Sequence, residues 1–99
     1  MLEFAILVII EDEEIYASDI LKKLRKTDLI VVEGTLYPLL SRLKRQELVD
    51  YAWKESKSGP PRKYYKLTQK GREAIEGLKQ SWQELYTSIN SLMKNGKGN

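Results

Sequence analysis

Residues 34–49, GTLYPLLSRLKRQELV, decide how this chain is read. On a helical wheel at about 100° per residue, Leu36, Leu39, Leu40 and Leu43 gather on one side as a core-facing stripe. Gly34, Tyr37, Pro38, Ser41 and Arg45 gather on the other side, with Arg42 and Lys44 on the two flanks. The outward side thus carries a glycine, an aromatic hydroxyl, a small hydroxyl and basic groups. No acid appears until Glu47, which sits under the stripe. Such a surface suits close approach to phosphates and base edges in a DNA major groove. A helix starting between Glu33 and Thr35 puts Pro38 in the first turn or just past it, where its missing N–H removes little.

Residues 48–57 and 62–67 are strand-like and are joined by Ser58-Gly59-Pro60-Pro61. A helix running straight into a two-stranded hairpin is the ending of a winged helix-turn-helix, with the hairpin as the wing. GTLYPLLSRLKRQELVDYAWKE (34–55) followed by SGPPRKYYKLTQKGRE (58–73) resembles the PadR family of transcriptional regulators. The resemblance implies a dimeric, DNA-binding repressor, often released by a small molecule. The fold expected is mainly α with a small β-hairpin wing. Residues 1–67 are expected to form the winged helix-turn-helix, 68–94 a dimerisation helix and 95–99 a flexible tail. The residues expected at double-stranded DNA are Gly34, Thr35, Tyr37, Pro38, Ser41, Arg42, Lys44 and Arg45 of the helix, with Lys57, Arg62, Lys63 and Tyr64 of the wing. Arg62 and Lys63 match the family's PPRKYY run directly.

Ninety-nine residues, 41% hydrophobic and 31% charged, make one ordinary globular domain. Cysteine and histidine are both absent. That removes zinc-finger chemistry, thiol nucleophiles, disulfides and histidine acid–base work. There is no Gly-rich phosphate loop and no plausibly spaced carboxylate pair, so no enzyme and no cofactor are expected. The largely apolar stretch 2–10 is only nine residues, too short to span a bilayer, and lacks the basic flank of a secretion signal. A cytoplasmic protein is expected. The net charge of +3 hides an asymmetry: residues 1–33 carry a net −4 and residues 34–73 a net +6. The positive charge therefore belongs to the helix and wing expected to meet nucleic acid.

In chain order, LEFAILVII (2–10) is apolar nearly all round and reads as a buried helix, with a short strand as the local alternative. The resemblance implies that its own domain covers one side and a partner subunit the other. Glu11-Asp12-Glu13-Glu14 reads as a solvated acidic turn. Residues 16–26 read as the first helix of the helix-turn-helix, with Ala17, Ile20, Leu21 and Leu24 inward. Family members carry a His-Gly-Tyr-like run at its start, where this chain has Tyr16-Ala17-Ser18. Part of the connection at 27–32 is expected to pair with the wing as a short strand. Within the wing, alternation puts Tyr51 and Trp53 on one face of the first strand, and Tyr65 and Leu67 on one face of the second. These aromatics are expected to pack the hairpin onto the domain, while Gly59, Pro60 and Pro61 make a stiff tip.

From Thr68, a plausible cap, the chain reads as one long helix weakened by Gly71 and Gly77. Ile75, Leu78, Trp82, Leu85, Ile89 and Leu92 are spaced 3, 4, 3, 4, 3, an a/d seam for helix–helix pairing. Docking on the first helix and pairing with a second copy are both compatible with it. The dimer contacts expected are these six residues with Leu2, Ala5, Ile6 and Ile9. Trp82 has two readings. It is a packed anchor or, as the resemblance implies, the lining of an intersubunit cavity for a small aromatic effector. A winged-helix adaptor between proteins is the alternative function, and it leaves the basic face idle.

Overall fold

A computed structural model of the chain describes residues 2–29, 31–56 and 59–98. The elements run α1 (Leu2–Glu11), β1 (Ile15–Tyr16), α2 (Ala17–Arg25), α3 (Glu33–Arg45), β2 (Val49–Ser56), β3 (Gly59–Leu67) and α4 (Gln69–Gly98). The three strands form an antiparallel sheet in the order β1-β3-β2. The fold is mainly helical with a hairpin wing, as expected. Its core joins Ile6, Leu7 and Ile10 of α1 to Ile20, Leu21 and Leu24 of α2. Leu36, Leu40 and Leu43 of α3, Ile15, Val49, Tyr65 and Leu67 of the sheet, Ile75 of α4, and Ala17 and Val31 complete it. Among the described residues no helix is long and apolar enough to cross a membrane.

The leucine stripe seats α3, and a tight C-terminal cap ends it. The N–H of Glu47 donates to the Lys44 carbonyl and that of Leu48 to the Leu43 carbonyl, each at 3.0 Å. This Schellman closure needs a left-handed residue at Glu47, whose φ is 63°. The helix starts at Glu33, within the expected range, and Pro38 falls just past its first turn, but its missing N–H is not without cost. Pro38 is the sixth residue of α3, so it removes one helical bond that the Gly34 carbonyl would accept. Gly34 is exposed, which leaves that carbonyl to water.

The sheet departs from the expected layout in two places. Its third strand is β1, ahead of α2, so Tyr16 precedes the helix instead of opening it. The 27–32 connection is not strand where it is described, and Ile30 lies outside the described residues. In the wing, Ser56 pairs with Gly59, so Pro60 and Pro61 belong to β3 and not to the tip; Lys57 and Ser58 lie outside the described residues. The prolines are tolerated because β1 covers β3 only at Tyr64 and Tyr65. A register shift between Lys54 and Ser56 also lies across from them.

Thr68 caps α4 and ties it to the end of α3. Its Oγ1 accepts the Gly71 N–H at 2.9 Å and donates to the Glu47 carbonyl at 2.6 Å. Gly71 is a close approach more than a weakness, because a Cβ there would overlap the Leu48 carbonyl. The helix continues to Gly98, past the point where a tail was expected. Ile6 and Ile75, expected at a dimer contact, are both 0% exposed in the chain's own core and have no surface left for a partner. Leu78, Trp82, Leu85, Ile89 and Leu92 remain exposed. α1 is covered on one side only, with Leu2, Ala5 and Ile9 half-buried and Val8 exposed. Its open side and Trp82 border an apolar groove of about 380 Å³, which also takes in Leu24 and Leu29.

Candidate nucleic-acid interface

The outward side of α3 is where the wheel placed it. Gly34, Thr35, Tyr37, Pro38, Ser41 and Arg45 are all exposed. A Cβ built on Gly34 meets nothing within 4 Å, so no packing in the chain asks for glycine there. Arg45 has no ionic partner among the described residues. The two flanking cations are each tethered. Arg42 donates to Glu3 of α1 at 2.8 Å, and a backbone N–H together with this guanidinium holds the Glu3 carboxyl below its ordinary range. Lys44 lies 3.5 Å from Asp50, whose carboxyl is lowered first by the Tyr51 N–H and then by Lys44. Both pairs are solvent-exposed and therefore weak enough to exchange for phosphate.

Strand register sorts the wing residues by face. Val49, Tyr51 and Trp53 lie opposite Leu67, Tyr65 and Lys63; Asp50, Ala52 and Lys54 lie opposite Lys66, Tyr64 and Arg62 on the other face. Arg62 and Lys63, adjacent in the sequence, thus leave the strand in opposite directions. The Lys63 ammonium sits 4.4 Å from the Tyr51 ring centre and 5.4 Å from that of Trp53. The Arg62 guanidinium sits 5.0 Å from the Tyr16 ring centre. Aromatic faces of this kind hold a cation while leaving its donors available. Tyr64, also expected at DNA, is half-buried against Tyr16, with ring centres 3.7 Å apart. A hydrogen bond with Tyr16 raises its hydroxyl above the ordinary phenol value. Tyr65 and Leu67 pack as expected and Tyr51 is half-buried, but Trp53 is 62% exposed, contrary to its expected packing role. It stands too far along the hairpin for the body of the domain to cover it.

The acidic turn is more engaged than a solvated loop. Glu13 pairs with Lys23 and Glu14 with Lys54, while Glu11 accepts two bonds from Lys79. These pairs tie the turn to α2, to the wing strand β2 and to α4 in turn. Sequence reasoning gave no DNA-facing role to Ser18 or Tyr65. Both line a cleft of about 410 Å³ with Tyr16, Ala17, Tyr37, Arg62 and Lys63. The pairing of β1 with β3 creates this cleft, and a two-residue strand has no periodicity to announce it.

Residues 6–77 match the transcriptional regulator PadR-like family. A PadR-like transcription factor from Bacteroides fragilis is 54% identical and superposes with a TM-score of 0.83, over 93% of this chain and 89% of that one. Bacillus subtilis PadR, solved with operator DNA, has the same fold at 20% identity and a TM-score of 0.73, over 79% of this chain and 46% of that one. An uncharacterised protein of Lysinibacillus sphaericus is 30% identical over 64 residues, which span 65% of this chain and 59% of that relative. Helix, wing and family match agree, and the chain belongs to the transcriptional regulator PadR-like family, whose members are regulators and not enzymes.

Proposed function

We propose that the chain binds operator DNA as a homodimer, laying α3 in the major groove with the wing beside it, and represses transcription until a small effector releases it. The observation that carries this reading is the outward side of α3. It is exposed, carries no carboxylate between Gly34 and Arg45, and bears a glycine that the fold itself does not require. Gly34 lets a backbone or base edge approach where any side chain would stand in the way. Lys63 and Arg62 then supply phosphate contacts from the wing. The winged-helix relative solved on operator DNA is compatible with this docking. Such a regulator works in the cytoplasm, where bacterial operators are.

Dimerisation rests on the exposed seam of α4 and the open side of α1, two apolar surfaces that water should not keep. The effector is a flat, largely apolar molecule held in the groove that Trp82 borders with Phe4, Val8 and Ile9. Binding that favours one arrangement of subunits would change the separation of the two α3 helices, and with it DNA affinity. Selection from a random duplex pool tests the reading. The enriched sequences should share an inverted repeat, with half-sites about one helical turn apart or a multiple of that. A pool that enriches no sequence overturns it.

A further inference from the structure

Three stretches that are separate in the sequence converge on the 410 Å³ cleft beside α3: the β1–α2 junction with Tyr16, Ala17 and Ser18, then Tyr37 of α3, then Arg62, Lys63 and Tyr65 of β3. Two cations and several hydroxyls line it and no carboxylate does, in a chain with 14 acidic residues. Tyr65 is the informative member. It is only 5% exposed, and its ring belongs to the core cluster. Its hydroxyl nevertheless has no hydrogen-bond partner among the described residues. A buried tyrosine ordinarily finds one. The oxygen is not sealed in, since no fully buried side-chain polar atom is left unpaired among the described residues. It opens on the cleft. Burial, then Tyr51 and Tyr37, push this phenol above its ordinary pKa, so it stays protonated and can donate. Nearby, Tyr16 gives α2 no side-chain cap, and Ala17 and Ser18 of that helix's first turn line the same cleft.

We propose that this cleft seats one backbone phosphodiester of duplex DNA, with the Tyr65, Tyr37 and Ser18 hydroxyls as donors and with Arg62 and Lys63, which border it from the two faces of β3, supplying the charge. The inference rests on the DNA-binding reading above and adds to it a phosphate seat that draws on α2 and the buried phenol. One phosphate held there would fix the depth of α3 and the angle of the wing together. It would do so on any sequence, because phosphate contacts position and base contacts specify.

The test uses a random-sequence duplex, for that reason. Tyr65→Phe removes one oxygen and keeps the packed ring. It should bind the duplex about tenfold more weakly, the loss expected for a hydrogen bond to a charged group, with an unchanged melting temperature. Ser18→Asp should lose still more affinity while α2 is held or strengthened, since a carboxylate suits a helix's first turn. It carries the test alone if Tyr65→Phe folds poorly. Duplex binding by wild type that neither variant weakens overturns the seat and leaves the DNA-binding reading standing. Failure of wild type to bind any duplex removes that reading and the seat with it. Inorganic phosphate, followed by the amide shifts of Ala17 and Ser18, separates the two sources of this anion. Phosphate that displaces the duplex through these residues supports the proposal. Phosphate that fills the cleft while duplex binding is unaffected assigns the site to a free anion and overturns it.

Discussion

A Cβ on Gly71 would overlap the Leu48 carbonyl, whereas one on Gly34 or Gly77 would meet nothing within 4 Å. The three glycines all lie in helices, yet their substitutions to alanine should part company. Gly71→Ala must push α4 away from the α3–β2 corner and should cost about 1–3 kcal/mol, the range for forcing atoms into a packed site. Gly77→Ala should stabilise by up to about 1 kcal/mol through helix propensity alone and leave DNA binding unchanged. Gly34→Ala should also raise stability yet weaken duplex binding, because its Cβ would occupy the space left for DNA. Urea titration and a duplex-binding isotherm on each variant check all three. A stabilised Gly34→Ala that binds as wild type would remove the close approach from the account. Nothing local in the sequence separates these residues, and the same holds at Glu47. Its φ of 63° belongs to a position where glycine is usual.

At the scale of elements, α3 and the hairpin were legible because they repeat. The leucines recur at helical spacing and the wing aromatics alternate. β1 was not legible. Two residues carry no period, and Ile15 becomes a strand only because Tyr65, fifty positions on, pairs with it. Pro60 and Pro61 pointed to a turn for the usual reason, and their membership of β3 depends on how far β1 reaches along that strand. The a/d seam shows that α4 has an apolar side but not whose core fills it, so Ile75 and Ile6 looked like dimer contacts and proved to be the chain's own core. The groove between α1 and Trp82 carries the effector prediction. Planar phenolic or cationic aromatic compounds should change Trp82 emission when titrated in a Trp53→Phe background, and Trp82→Ala should abolish their binding. Compounds that bind without either effect would place the pocket elsewhere.

The molecule as a whole is elongated, 62 × 27 × 21 Å, with a radius of gyration of 16.7 Å against about 13 Å for a compact chain of 100 residues. The 30 residues of α4 account for this, since such a helix runs roughly 45 Å. Leu85, Ile89 and Leu92 lie exposed on its distal part, Leu92 at 70%. Leu85→Asp should therefore sediment as a folded monomer where wild type sediments as a dimer, and a folded wild-type monomer at micromolar concentration would contradict the dimer. Charge is also organised at this scale. Residues 34–73, which build most of α3 and the wing, carry the net +6, so DNA binding should depend steeply on salt. The most direct test compares the slope of log K against log salt for wild type and Lys63→Ala on one duplex. Removing a single phosphate contact should lower the magnitude of the slope by about 1 and weaken binding on every sequence. The same slope and the same affinity in both proteins would contradict the account.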